Sequence, residues 1–393
     1  MPKAREHPMK IREFSYREPY EETLNAHLMR LLSTQIPDVR ITSPIEDAAQ
    51  VWFRHLLYDV YVPRGFHASC RAWLSRLYGY APRWERRIPQ WLVCQCSRLA
   101  CSDPIFLRPA FGTTHDFGAS CMIMPGNQRF RLYRFHDRTV VTTPKHGFSS
   151  TGLETEIAFR QRPDVPDFVM PCRSQGMEIM EETWLDAIPI NRLGNTRQKN
   201  EVMPRLHSIL AKLRDMDAVT VTGEAYAKTL QETFDARWKR LSERFSDLPK
   251  NVVLAVPFAH ATDVIQKQAH LVLCRSHGDF QPGNILMDRS GKLTVIDWED
   301  TAIRACGYDA MVFELRARSP RGLAERVTRF KQDAAPLPPF LSSLHMTRQM
   351  LAALWFCEEC LWQCEVSARD GICRIPEGFS LFAQETASFF PRR

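Results

Sequence analysis

The residues best placed to do chemistry lie in Ser276-His277-Gly278-Asp279-Phe280-Gln281-Pro282-Gly283-Asn284-Ile285-Leu286 and in the following Val295-Ile296-Asp297-Trp298-Glu299. Asp279 sits on a loop containing Gly and Pro, and Asn284 follows at the mouth of a strand over Ile285–Met287. A turn at Asp288-Arg289-Ser290-Gly291 returns the chain through Leu293–Ile296 and delivers Asp297 at the end of the paired strand. Three oxygen ligands or acceptors therefore converge at one end of a small sheet. Such a set suits Mg²⁺, which takes few protein oxygens and completes its octahedron with phosphate and water. Asp279 is then left to accept a proton from a hydroxyl nucleophile. That is the division of labour in phosphoryl transfer: positioning and charge neutralisation, with one base beside the metal.

The same stretch resembles the catalytic and metal-binding motifs of small-molecule kinases with a protein-kinase-like fold. These include aminoglycoside phosphotransferases, choline and ethanolamine kinases, and related sugar kinases. Gly278 stands where protein kinases usually carry Arg, and Asp297-Trp298-Glu299 is similar to the aminoglycoside-phosphotransferase form of the metal motif. Gly307-Tyr308-Asp309 resembles the Gly…Asp that often follows, across a shortened gap. The likeness runs in order over residues 106–320 and is sharp over Ser276–Asp309.

The resemblance implies Asp279 as catalytic base, Asn284 and Asp297 as holders of Mg²⁺, His277 as a brace of the loop, and ATP or GTP as phosphoryl donor. It also implies a Lys on the third strand that reaches the α/β-phosphates and pairs with a helix Glu. Lys145, just after Thr139–Thr143, is the candidate, with Glu156 as partner and Glu154 second. Pro125-Gly126-Asn127-Gln128 would cover the phosphates through Asn127, a plain hairpin turn being the alternative. Met180–Trp184 would be the inter-lobe hinge, with Glu182 and Trp184 at the adenine, an ordinary strand end being the alternative.

The elements that must position these groups follow from periodicity. Leu24, Leu28, Leu31 and Leu32 share a helical face. Ser43-Pro44-Ile45-Glu46 has the form of a capping box and predicts a helix from Pro44 to Tyr61. Pro82, Pro89, Pro104 and Pro109 punctuate the chain and mark a boundary near Ile105–Ala110. Ala119–Met124, Phe130–Phe135 and Thr139–Thr143 read as an antiparallel meander, followed by a helix carrying Glu154 and Glu156. Residues 201–248 and the tail from Ala310 return to helix. The expected fold is α+β, a two-lobed protein-kinase-like fold behind a helical N-terminal extension. Its parts are residues 1–105 (extension), 106–184 (nucleotide lobe) and 185–393 (catalytic, metal and acceptor lobe).

The 393 residues are 44% hydrophobic and 25% charged, which excludes a largely disordered chain. The formal charge of +7 permits a phosphate-bearing ligand without the dense basic stripe of a nucleic-acid binder. No apolar run is long enough to span a membrane, and Met1–Phe14 lacks the apolar core of a signal peptide. The 12 cysteines are scattered rather than patterned, as in a reduced cytoplasmic protein. Cys357, Cys360 and Cys364 fall on one helical face with Leu354, Leu361 and Trp362, so core packing outweighs zinc binding there and at Cys94, Cys96 and Cys101.

Arginines and aromatics alternate over Arg71–Arg87, a pattern of solvated helix faces or of contact with an anionic membrane surface. Glu358, Glu359, Glu365 and Asp370, near Trp355 and Trp362, would suit a cationic acceptor if they faced it. The reading is a phosphotransferase acting on a hydroxyl of a small molecule. The alternatives are a kinase-like scaffold without catalysis, and a kinase acting on a protein or a membrane-associated glycan.

Overall fold

The computed structural model describes residues 14–15, 18–42, 45–79, 84–99, 103–193, 196–245, 248, 254–387 and 389. Two compact units divide the chain: His7–Thr196 with Ile285–Glu299, and Arg197–Asn284 with Asp300–Arg393. Among the described residues no helix is long and apolar enough to cross a membrane.

The first unit is built on nine antiparallel strands. They are Ile41–Thr42 (β1), Gln50–His55 (β2), Val60–Pro63 (β3), Leu107–Thr113 (β4), Cys121–Pro125 (β5), Arg129–Arg134 (β6), Thr139–Pro144 (β7), Cys172–Ser174 (β8) and Met180–Thr183 (β9). Their order across the sheet is β1-β4-β2-β3-β5-β6-β7-β9-β8. Helices Tyr20–Leu32 (α1), Ala68–Tyr78 (α2), Trp84–Cys96 (α3) and Thr151–Arg160 (α4) belong to the same unit.

Side chains alternate across a strand, so directly paired residues share a face. Leu132 pairs with Val141 and Phe130 with Thr143. Phe130, Leu132 and Val141 form one core with Tyr20, Leu28, Leu31 and Leu32 of α1. Arg131 pairs with Thr142, and with Arg129 these take the opposite face.

Two expectations fail in this unit. The helix predicted over Pro44–Tyr61 is instead the hairpin of β2 and β3, joined through Asp59 at φ +53°. Period-two alternation of Val51 and Phe53 against Trp52, and the run Val60-Tyr61-Val62, outweigh the capping signal. That signal begins at residues 43 and 44, which lie outside the described residues. The boundary drawn between residues 105 and 106 abuts β4, which pairs with both β1 and β2. Residues before it therefore supply three strands of the same sheet rather than a separate helical extension.

Six further strands follow: Ala187–Pro189 (β10), Val219–Val221 (β11), Leu271–Ser276 (β12), Ile285–Asp288 (β13), Leu293–Val295 (β14) and Ala302–Ala305 (β15). The sheet β10-β13-β14 lies in the first unit, and the sheet β11-β12-β15 in the second. The second unit is otherwise helical: Thr196–Asp215 (α5), Gly223–Arg244 (α6), Ala255–Ile265 (α7), Tyr308–Glu314 (α8), Leu323–Gln332 (α9), Arg348–Ser367 (α10) and Glu377–Thr386 (α11). Helix α10 packs against α6, α7 and α8 and is buried on nearly every side, from Met350 to Cys364. It is a core helix that carries two buried acids, Glu358 and Glu359.

Candidate active site

In the second unit, β12 ends at Ser276 and the chain turns through Gly278 at φ +88°. A Cβ there would lie 2.3 Å from the Asp300 carbonyl oxygen, so only glycine fits. The loop is held from α8. Asp309 Oδ2 accepts the His277 N–H at 2.6 Å, and Oδ1 accepts the Gly278 N–H at 3.0 Å and the Ser276 hydroxyl at 2.9 Å. His277 is wholly buried, and its Nδ1 accepts the Asp279 N–H at 3.1 Å.

Asp279 is thereby presented at the end of a braced loop, with both carboxylate oxygens in contact. Oδ2 accepts from the Asn284 and Gln281 amides, each at 2.8 Å. Asn284 also donates to the Asp279 carbonyl at 3.0 Å, so both of these bonds use its amide N–H groups. Oδ1 meets Arg318 Nε at 2.5 Å. Arg318 further reaches Glu359 at 2.5 Å and the Gly278 carbonyl at 2.7 Å, and lies over the Trp362 ring at 3.5 Å. Arg318 was not singled out from sequence, since nothing near it in the chain marks it.

In the first unit, Asp297 follows β14 with φ +69°, a left-handed conformation that is uncommon for a residue with a side chain. Trp298 anchors it. That ring is wholly buried 4.6 Å from Phe159 of α4, and its N–H donates to the Val295 carbonyl at 2.9 Å. Arg131 Nη2 reaches Asp297 Oδ1 at 3.0 Å, and Arg129 lies 3.8 Å from the same oxygen. Arg129 also meets Glu299 at 2.8 Å and Glu156 at 2.5 Å. Arg160 completes the cluster at 2.9 Å from Glu156 and 2.7 Å from Glu182. Burial alone would push the Glu156 carboxyl up, but Arg129 and Arg160 outweigh it and hold it at about 2.

The expected Lys145–Glu156 pair is not formed. Lys145 is wholly buried against Glu18, with its ammonium 3.8 Å from the Phe14 ring. Parity explains this: Lys145 continues the Val141 and Thr143 face toward α1, opposite the face of Arg131 and Thr142. The hinge assignment also meets an obstacle. Glu182 is paired on both sides, with Val140 and Cys172, and its carboxylate engages Arg160. The Trp184 backbone N–H donates to the Arg138 carbonyl at 2.8 Å, and its ring packs 5.2 Å from Phe135. Asn127 lies in the turn between β5 and β6, which is closed by the Gly126 N–H on the Arg129 carbonyl at 2.8 Å.

Of the acids proposed for a cationic acceptor, two are buried and engaged and two sit in exposed ion pairs. Glu359 is wholly buried and accepts from Tyr308 at 3.0 Å as well as from Arg318. Glu358 accepts from Tyr226 and from the Ala305 N–H, and burial pushes its carboxyl up. Glu365 faces Arg237 at 3.5 Å and Asp370 faces Arg244 at 3.3 Å. Each of the four acids is thus engaged by a neighbouring donor. Cys357, Cys360 and Cys364 are wholly buried in α10, and burial pushes their thiols up. In the basic segment, Arg71 pairs with Asp103 at 2.5 Å and Arg76 pairs with Asp186, while Arg83 lies outside the described residues.

Solved structures give distant likenesses. A choline/ethanolamine kinase family protein from Mesorhizobium loti is 14% identical over 68% of this chain and 92% of that chain, with a TM-score of 0.37. An ethanolamine kinase from Plasmodium vivax is 11% identical over 68% of this chain and 79% of that chain, at 0.43. A macrolide 2'-phosphotransferase type I is 15% identical over 71% and 90%, at 0.40. No curated protein matches the chain significantly. A sequence model of the phosphotransferase enzyme family matches residues 124–342 of the 393, more than half of the chain and across all the motifs from Ser276 to Asp309. With that match the chain, an α+β protein carrying the motifs, belongs to the phosphotransferase enzyme family.

Proposed function

We propose that this phosphotransferase moves the γ-phosphoryl group of ATP (or GTP) to a hydroxyl of a small molecule, with Asp279 as the base. The observation that carries the reading is the Asp279 loop, braced from behind by Asp309 and gripped by the Asn284 amide. The acceptor oxygen bonds to the γ-phosphorus as the bond to the β,γ-bridging oxygen breaks. The nucleoside diphosphate leaves, and the hydroxyl proton passes to Asp279. His277 keeps the loop in register through the Asp279 N–H.

The residue types assigned to the metal, an amide and a carboxylate, are of the kind Mg²⁺ takes. Among the described residues no three His, Cys, Asp or Glu side chains form a site that could hold a metal by protein ligands alone. Mg²⁺ needs only one or two protein oxygens when phosphates complete its shell. Asn284 has its carbonyl oxygen and Asp297 its carboxylate for that purpose. When bound, the metal supplies charge neutralisation at the bridging phosphates. Unpaired cysteines fit a cytoplasmic setting.

A screen of nucleotide consumption over aminoglycosides, amino alcohols, sugars and nucleosides tests the reading, with Asp279→Asn as blank. An active acceptor with the wild type and a loss of about 10²–10⁴-fold in the variant is expected for a general base. Equal turnover by the variant overturns the role of Asp279. The second reading, a kinase-like scaffold, is favoured by the separation of Lys145 from Glu156. It predicts no turnover with any acceptor and no thermal shift with Mg-ATP.

A further inference from the structure

We infer that Arg131 is the cation that receives the nucleotide's phosphates in this chain, in place of a lysine on β7. The inference rests on the function proposed above and adds the residue that makes nucleotide binding possible without Lys145.

Four observations converge. Strand β7 brings no cation to the face of the sheet where Asp297 is contacted, and Thr142 stands there directly opposite Arg131. Lys145 points to the other face and is sealed among Glu18, Phe14 and Tyr20. Glu156 on α4, the acid expected to hold the phosphate lysine, holds Arg129 instead. Arg131 sits on Asp297, the expected metal ligand, at 3.0 Å.

The two arginines are not equivalent. The Arg129 side chain is 5% exposed and contacts three acids: Glu156, Glu299 and Asp297. The Arg131 side chain is 24% exposed and Asp297 is 30% exposed, so both can be reached by a ligand. A guanidinium presents a planar fork that matches phosphate oxygens two at a time, whereas an ammonium is a point charge. An anionic triphosphate arriving with a divalent cation would therefore find both partners of this pair useful: the arginine for phosphate, the carboxylate for the metal.

The test is binding of Mg-ATP, Mg-ADP and adenosine by titration calorimetry to full-length protein. Arg131→Ala is expected to weaken ATP and ADP by about tenfold to a hundredfold, the worth of a charged hydrogen-bond pair, and to leave adenosine unchanged. Arg131→Lys should recover part of the loss, which a merely structural role would not. The double variant Lys145→Met/Glu18→Gln removes a buried pair together and should bind ATP within about twofold of wild type, as a change remote from the ligand does. The inference is overturned if Arg131→Ala binds ATP as well as or better than wild type, if ATP and adenosine weaken together, or if the Lys145 double variant alone loses ATP. A wild type that binds no nucleotide would overturn the proposed function and this inference together, an outcome distinct from the other three.

Discussion

Replacing Glu156 by Gln tests the charge cluster behind Asp297 most directly. Glu156 is 1% exposed and lies between Arg129 at 2.5 Å and Arg160 at 2.9 Å. Its carboxyl is held at about 2, well below the ordinary glutamate value of 4.5. The folded value is depressed, so the stabilisation is fully present above the unfolded value and is lost as pH falls toward the folded one. A shift of that size is worth about 3 kcal/mol at neutral pH by linkage, with no discount for solvent in so buried a group. Removing one partner of a buried ion pair costs ~3–5 kcal/mol by a separate argument, and the two figures agree. Urea unfolding of wild type and Glu156→Gln should therefore differ by about 3 kcal/mol at pH 7, and the gap should narrow by about 2 kcal/mol at pH 3. Taking the difference cancels the other carboxylates that titrate in that window. A gap that is absent at pH 7, or that widens on acidification, would refute the claim that Arg129 and Arg160 stabilise an ionised Glu156.

Asp309→Asn offers one acceptor oxygen where the carboxylate serves three donors, so at least one loop N–H loses its partner. A loss of ~1–3 kcal/mol in urea unfolding and a fall in turnover, with nucleotide affinity kept, are expected. Cys357→Ser should lower the melting temperature by placing a hydroxyl in the wholly buried face of α10, while treatment of the wild type with EDTA leaves the unliganded melting temperature unchanged. A drop on chelation would restore the zinc reading.

What could be read from sequence was local. Gly278, Asp279 and Asn284 lie within one turn-and-strand unit, and the shape of that unit follows from its own residues. Asp297-Trp298-Glu299 and Asp309 were legible by their resemblance to family motifs, since Asp309 meets the loop from more than thirty residues away. The failures were of long range or of parity. Lys145 lies at the end of β7, but position along the strand says nothing of face. Counting alternate residues from Val141, a core position, would have placed it on the α1 face. The same count applied to Arg129-Phe130-Arg131-Leu132 separates two arginines from two core residues, a signal for a half-buried strand with its cations on one face. Arg318 carried no such signal, because its contacts with Asp279 and Glu359 span about forty positions of chain in each direction.

Arg318 itself supplies a further test. It joins Asp279, the Gly278 carbonyl, Glu359 and the Trp362 ring, a set that needs both the charge and the planar fork of a guanidinium. Glu359 is 0% exposed, so Arg318→Met leaves an anion in the interior and should cost about 3–5 kcal/mol, with the lost stack on Trp362 adding to it. Adding Glu359→Gln removes that stranded charge and should return part of the stability, because burying neither charge is cheaper than burying one. Arg318→Lys keeps the charge but cannot reach Gly278, Glu359 and Asp279 at once. It should fold, bind nucleotide normally and turn over more slowly, since the orientation of Asp279 is what it loosens. If the double variant proves less stable than Arg318→Met, the charge pairing between Arg318 and Glu359 is not what holds this corner. If Arg318→Lys keeps full turnover, the orientation of Asp279 depends on Asn284 and Gln281 alone.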